Sequence, residues 1–96
     1  MSKLRPVIRK VDSNHAEIIS KIRKHEGVSV LDIHQIGKGA PDAFVSTKGI
    51  TIAIEIKSSY RDRQTPAEIE FQKRWKGKYY VIWSYEQLCK ILGIKP

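Results

Sequence analysis

Ile50-Thr51-Ile52-Ala53-Ile54-Glu55-Ile56-Lys57 is the stretch whose reading decides the fold. Strand side chains repeat every two residues, so Ile50, Ile52, Ile54 and Ile56 fall on one face and Thr51, Ala53, Glu55 and Lys57 on the other. The first face is made for a core, and all four isoleucines are expected to be buried. The second carries an acid and a base two residues apart, where an ordinary half-buried strand mixes Thr, Ser and Lys.

Upstream, Asp42-Ala43-Phe44-Val45-Ser46 also reads as strand, and Thr47-Lys48-Gly49-Ile50 as a tight hairpin turn with Gly49 supplying the positive φ. A turn centred on Lys48-Gly49 sets Thr47 opposite Ile50, Val45 opposite Ile52, and Asp42 opposite Glu55 with Cβ atoms roughly 4.5–5.5 Å apart. A bulge would shift the register by one and turn Asp42 to the wrong face. Two carboxylates that close repel unless a cation, a shared proton or a lysine intervenes. Hard oxygen ligands in a small open cluster suit Mg²⁺ or Mn²⁺. Lys57 shares the face of Glu55, where its ammonium can orient a water or stabilise a pentavalent phosphate. The plainer reading, a structural Lys57–Glu55 pair, leaves Asp42 unexplained.

Pro41-Asp42 followed by Glu55-Ile56-Lys57 resembles the PD-(D/E)xK nuclease superfamily. The wider context is Gly37-Lys38-Gly39-Ala40-Pro41-Asp42, a glycine hairpin, Glu55-Ile56-Lys57-Ser58 and a Thr-Pro-led helix. It resembles the small standalone form of the VRR-NUC (virus-type replication-repair nuclease) family from Asn14 to Gly93. The resemblance implies a metal held by Asp42, Glu55 and the backbone carbonyl of Ile56, joined by a Glu on the first helix, for which Glu17 is the candidate. Glu17 has a second reading, as the partner of Asn14 in an N-terminal cap. Family members commonly carry a Gln on the second helix where this chain has Glu68. Glu68 is explained by capping, so Gln72, one turn later, is preferred for the site.

The chain has 96 residues, enough for one domain with a modest core, over 1–96 with an N-terminal arm over 1–12. No run approaches the ~18 apolar residues of a membrane span, and no apolar segment follows the basic start as a secretory signal requires. One cysteine, Cys89, excludes an internal disulfide and a Cys-based zinc cluster. Together these favour an intracellular place, the cytoplasm or nucleoid of a prokaryotic or phage-infected cell. The formal net charge of +8 favours a polyanionic partner. Lys38 in the glycine loop, Arg61 and Arg63 after the Glu-Lys strand, and Lys73 and Arg74 on the next helix are the candidate DNA contacts.

In order, the pattern predicts a helix over 14–26 with an Ile18, Ile19, Ile22 stripe, a strand over 28–35, and the two hairpin strands. A helix follows from Thr65 (N-cap), Pro66 (N1) and Glu68 (N3) to about residue 76, burying Phe71 and Trp75. A strand over 78–83 and a helix over 85–92, capped by Ser84 and Gln87 and stopped at Gly93, complete the chain. His34 closes the first strand near the site but is more simply a hydrogen-bonded surface residue, and His15 and His25 have less to recommend them. The expected architecture is a small α/β domain with a mixed sheet flanked by helices, the PD-(D/E)xK core.

The function this implies is a Mg²⁺- or Mn²⁺-dependent DNA endonuclease. Family membership would make it a homodimer cutting four-way (Holliday) junctions. The rival from another class is a non-catalytic DNA-binding module of the same fold; a nuclease acting on flaps, single strands or RNA is a third reading. The charge serves all of them. The joint presence of Asp42, Glu55 and Lys57 favours catalysis.

Overall fold

The computed structural model describes residues 14–96; the arm expected over 1–12 lies outside the described residues. Three helices and four strands follow in the order α1 (His15–Arg23), β1 (Val28–Asp32), β2 (Ala43–Thr47), β3 (Ile50–Ile56), α2 (Pro66–Arg74), β4 (Lys78–Ile82) and α3 (Tyr85–Leu92). The sheet order is β1-β2-β3-β4, antiparallel except for the parallel β3–β4 pair that α2 connects. The mixed sheet of the sequence reading is therefore present.

From Ala43–Ile54 to Thr47–Ile50 the hairpin is free of a bulge. Thr47 pairs with Ile50, Val45 with Ile52 and Ala43 with Ile54. Gly49 (φ 80) and Lys48 (φ 54) both take the left-handed conformation that a two-residue turn of this kind requires. The regular pairing ends at Ala43–Ile54: Asp42 lies outside β2 and donates its N–H to Ile54 O at 2.9 Å, one residue out of register. The expected pairing of Asp42 with Glu55 is thus replaced by a local irregularity at Asp42-Ala43.

Ile52, Ile54 and Ile56 share their face with Ala43, Val45 and Ile82, and α1 and α3 cover it with Ile18, Ile19, Ile22, Tyr85, Leu88 and Cys89. Ile54 is fully buried at the centre, where truncation to Ala costs about 2–5 kcal/mol. Ile50 departs from the expected stripe: it begins β3 beside the turn, past the reach of the helices, and is 53% exposed. Asn14 ties α1 to the sheet, its Nδ2 donating to Lys57 O at 3.0 Å and to Trp83 O at 2.8 Å.

The opposite face carries Phe44, Ala53 and Tyr79 in register across β2, β3 and β4. It is covered thinly. Phe71 stacks on Trp75 (5.6 Å between ring centroids), Trp75 meets Phe44 and Phe71 meets Tyr79, yet α2 has no buried residue and Trp75 is 37% exposed. The expected burial of Phe71 and Trp75 is thus only partial. The helix stops at Arg74, leaving Trp75 as its C-cap in extended backbone with its indole N–H on Lys78 O.

Two other bounds are shorter than expected. α1 ends at Arg23, and β1 ends at Asp32 because its own side chain captures the turn that follows, Oδ1 accepting from His34 N at 3.1 Å. α3 runs over the expected residues, with its Ser84–Gln87 capping box formed and Gly93 at φ 73.

Candidate active site

The ends of β2 and β3 place Asp42 and Glu55 side by side, and α2 closes over them. Asp42 Oδ2 accepts from Ile56 N at 2.7 Å, which fixes its carboxylate against the strand that carries Glu55 and Lys57. Glu55 is 3% exposed and Lys57 8%, both very low for charged residues. Lys57 Nζ lies 3.5 Å from Glu55 Oε2 and 2.9 Å from Glu68 Oε1. The cluster is thus three carboxylates around one ammonium, and the cation does not balance the acids.

The electrostatics follow from that excess. Burial above all, then the charge of Asp42 and the hydrogen bonding and charge of Glu68, push the Glu55 carboxyl up to about 9, against the pull of Lys57. Burial also raises Asp42, although the Ile56 N–H, His15 and Lys57 oppose it. Burial would raise Glu68 too, but hydrogen bonds from Glu55, Lys57 and Thr65 outweigh it and hold Glu68 below the ordinary range. Without an added cation, a proton therefore stays on Glu55 at neutral pH. Glu55 Oε1 is buried and has no hydrogen-bond partner among the described residues. A buried carboxylate oxygen left without a partner is costly, and a hard divalent cation is the partner its chemistry suits.

Of the residues expected on sequence grounds, Asp42, Glu55 and Lys57 come together, with the Ile56 backbone between them. Glu17 does not join. The buried stripe of α1 runs through His15, Ile18, Ile19 and Ile22, which turns Glu17 to solvent, where it pairs with Lys21 at 2.8 Å. It does not complete a cap either, since Asn14 makes no side-chain cap hydrogen bond. Gln72 also stays out: it is exposed on α2. Glu68 holds the place instead. Its capping role does not compete with the site, because Oε1 accepts from Thr65 N and from Lys57 Nζ at once.

The helix α1 brings His15 rather than Glu17. His15 Nδ1 is 4.0 Å from Asp42 Oδ1, and Nε2 is 3.5 Å from Asp32 Oδ2. Asp32 in turn holds His34 Nδ1 at 2.7 Å. Neither His15 nor Asp32 was expected here. The signal for His15 is its position three, four and seven residues before the stripe isoleucines, which commits it to the inner face.

The basic candidates are all exposed. Arg61 and Arg63 lie on the loop between Lys57 and Thr65, both of whose ends contact Glu68. Lys38 lies on the loop whose Gly39 abuts the first turn of α2, so close that a Cβ there would stand 2.4 Å from Ala67 O. Both loops therefore flank the cluster. Lys73 and Arg74 sit at the far end of α2, and Arg74 is paired with Glu70 at 2.9 Å. Among the described residues, no helix is long and apolar enough to cross a membrane.

No protein-family model matches the sequence, and no curated protein matches it. Among solved structures, one described as a VRR_NUC domain superposes with a TM-score of 0.69, covering 85% of this chain and 94% of its own at 20% identity. The likeness is one of fold: the small four-stranded mixed sheet with its helices is that of the VRR_NUC domain, as the resemblance implied.

Proposed function

We propose that this protein, built on the fold of a VRR_NUC domain, is a divalent-cation-dependent DNA endonuclease whose working residues are Asp42, Glu55, Lys57 and Glu68. The observation that carries this reading is Asp42 held by Ile56 N–H close to Glu55, with Lys57 beside Glu55 and with Glu55 Oε1 buried and without a hydrogen-bond partner among the described residues. Neither a structural ion pair nor a DNA-binding surface needs that arrangement.

Asp42, Glu55 and the Ile56 carbonyl would hold Mg²⁺ or Mn²⁺, an all-oxygen set that fits such ions. When bound, the ion supplies charge neutralisation at the phosphate and acidifies a nucleophilic water. The residues of the chain do the rest. Ile56 N–H holds Asp42 in place. Glu68 keeps the Lys57 ammonium at the cluster while screened from bulk water, where it meets the charge that develops on the phosphate as water attacks phosphorus and the P–O bond to the leaving group breaks. Lys38, Arg61 and Arg63 flank the acids and meet neighbouring phosphates. Branched DNA, a four-way (Holliday) junction above all, is the substrate we infer. A homodimer would present two sites related by a two-fold axis, matching the symmetry of a junction.

Cleavage of a labelled four-way junction and of its matching linear duplex, with Mg²⁺, Mn²⁺ or EDTA, tests this alongside Asp42→Ala and Lys57→Ala. Symmetric metal-dependent cuts in the junction, lost in both variants, are the expected result. Cutting of flaps or single strands instead would keep the nuclease and remove the junction. Salt-sensitive binding without cleavage under any metal would leave a DNA-binding module.

A further inference from the structure

His15, Asp32 and His34 each offer a ligand atom within 4.8 Å of the others, next to Asp42, whose Oδ1 is 4.0 Å from His15 Nδ1. Three elements converge there: the first turn of α1, the end of β1 and the turn after it. The contacts are specific. His15 Nε2 stands 3.5 Å from Asp32 Oδ2, close to the roughly 3.3 Å edge expected between two ligands of a tetrahedral ion with 2.0–2.1 Å bonds. The rings of His15 and His34 lie 4.5 Å apart and tilted by 56°, and each turns a nitrogen to an oxygen of Asp32, His34 Nδ1 to Oδ1 at 2.7 Å. The His15 side chain is 6% exposed, Asp32 18% and His34 28%, which leaves the His34 side open as an entry path.

We propose that these three residues form a second metal site, separate from the carboxylate cluster, that binds a borderline divalent transition ion of the Zn²⁺ or Co²⁺ class through two imidazoles and a carboxylate. Imidazole selects such ions over Mg²⁺, whereas the all-oxygen cluster of Asp42 and Glu55 does the reverse. The geometry of His15 joins the two sites. With Nε2 on the ion, Nδ1 carries the proton and lies 4.0 Å from Asp42 Oδ1, within ion-pair reach but longer than a hydrogen bond. A shift of about 1 Å on metal binding would let His15 give its second N–H to Asp42, as ligating histidines do to carboxylates, beside the Ile56 N–H that already holds it. The turn over 33–36, whose Ile36 N already bonds Ile33 O, is pinned to α1 as well. The His2Asp site is thus a positioning element for Asp42 and a staple between α1 and the loop that leads to Lys38.

The plainer alternative is that Asp32 merely hydrogen-bonds His34 and His15. The test is Co²⁺ added to the whole chain in excess Mg²⁺, followed by ligand-field absorption and by NMR of the histidine ring protons. The expected result is one tightly held Co²⁺, with paramagnetic shifts on His15 and His34. His25, whose ring bonds Lys95 O near the other end of α1, stays sharp. Glu55→Gln keeps the spectrum; His34→Ala and Asp32→Asn weaken Co²⁺ binding at least ten-fold. The NMR arm needs no substitution, so an unfolded variant leaves the test intact. Absence of the absorption, absence of shifts on His15 and His34, or loss of the spectrum in Glu55→Gln would each overturn the second site.

Discussion

Lys57 Nζ donates to Glu68 Oε1 at 2.9 Å, and the same oxygen closes the capping box of α2 by accepting from Thr65 N at 2.8 Å. Helix start and site share one atom, and substitutions separate the two roles. Glu68→Gln keeps an acceptor for the cap but removes the charge that helps hold the Glu55 proton. It should leave the fold intact and move the Glu55 titration downward, read from the side-chain carboxyl ¹³C shift. Thr65→Ala should do the opposite, costing about 1 kcal/mol in denaturant unfolding while leaving Glu55 where it is.

Stability in EDTA should depend on pH with a sign set by Glu55. Its folded value of about 9 lies above the ordinary 4.5, so between these the folded state holds a proton that the unfolded chain has released. Stability therefore falls as pH rises through that window, and the raised Asp42 adds to the fall from its own ordinary value upward. Asp32 and Glu68 are lowered, and their contribution is lost only at more acid pH, as pH drops through their folded values. Thermal melts of the metal-free protein from pH 5 to 9 should show a declining midpoint that Glu55→Gln flattens. Mg²⁺ should raise the midpoint more at pH 9 than at pH 5, since the ion competes with the Glu55 proton.

What the chain made legible was whatever is fixed by neighbours in sequence. The β3 alternation, the two-residue turn at Lys48-Gly49 and the Ser84–Gln87 cap rest on local rules; the first two bring Asp42 to the end of the hairpin that carries Glu55, although the backbone leaves the expected register at Asp42 itself. Glu17 misled because a plausible acid at the right place in the order was weighed above the helical stripe, which already turned it outward and His15 inward. Glu68 misled because capping was set against the site as an exclusive use, although a carboxylate oxygen accepts two hydrogen bonds. The thin cover that α2 gives the sheet was not readable, since Phe71 and Trp75 meet Phe44 and Tyr79 only through the folded sheet.

Gly39 and Gly27 should separate backbone strain from crowding. Both have positive φ, +84 and +82, so a side chain at either costs about 1–2 kcal/mol. Gly27→Ala adds nothing more, because open space surrounds it. Gly39→Ala drives its Cβ to 2.4 Å from Ala67 O, backbone that cannot swing aside. Denaturant midpoints should show a clearly larger loss for Gly39→Ala. It should also push the Lys38 loop off the start of α2 and weaken DNA binding, which Gly27→Ala should not.

The flanking cations should reveal themselves in salt dependence. Each phosphate contact removed from duplex DNA lowers the slope of log K against log salt by about 0.9. Arg61 and Arg63 sit on the loop that leaves Lys57 and returns to the α2 cap, so Arg61→Ala with Arg63→Ala should weaken binding and reduce the slope by about 1–2. Arg74 lies at the distal end of α2 and is already paired with Glu70. Arg74→Ala should change the slope by less than the loop pair does. Fluorescence anisotropy over a salt series, in EDTA to prevent cleavage, measures both. Equal slopes for all three proteins would place the DNA path away from the Lys57–Thr65 loop, and with it away from the carboxylates.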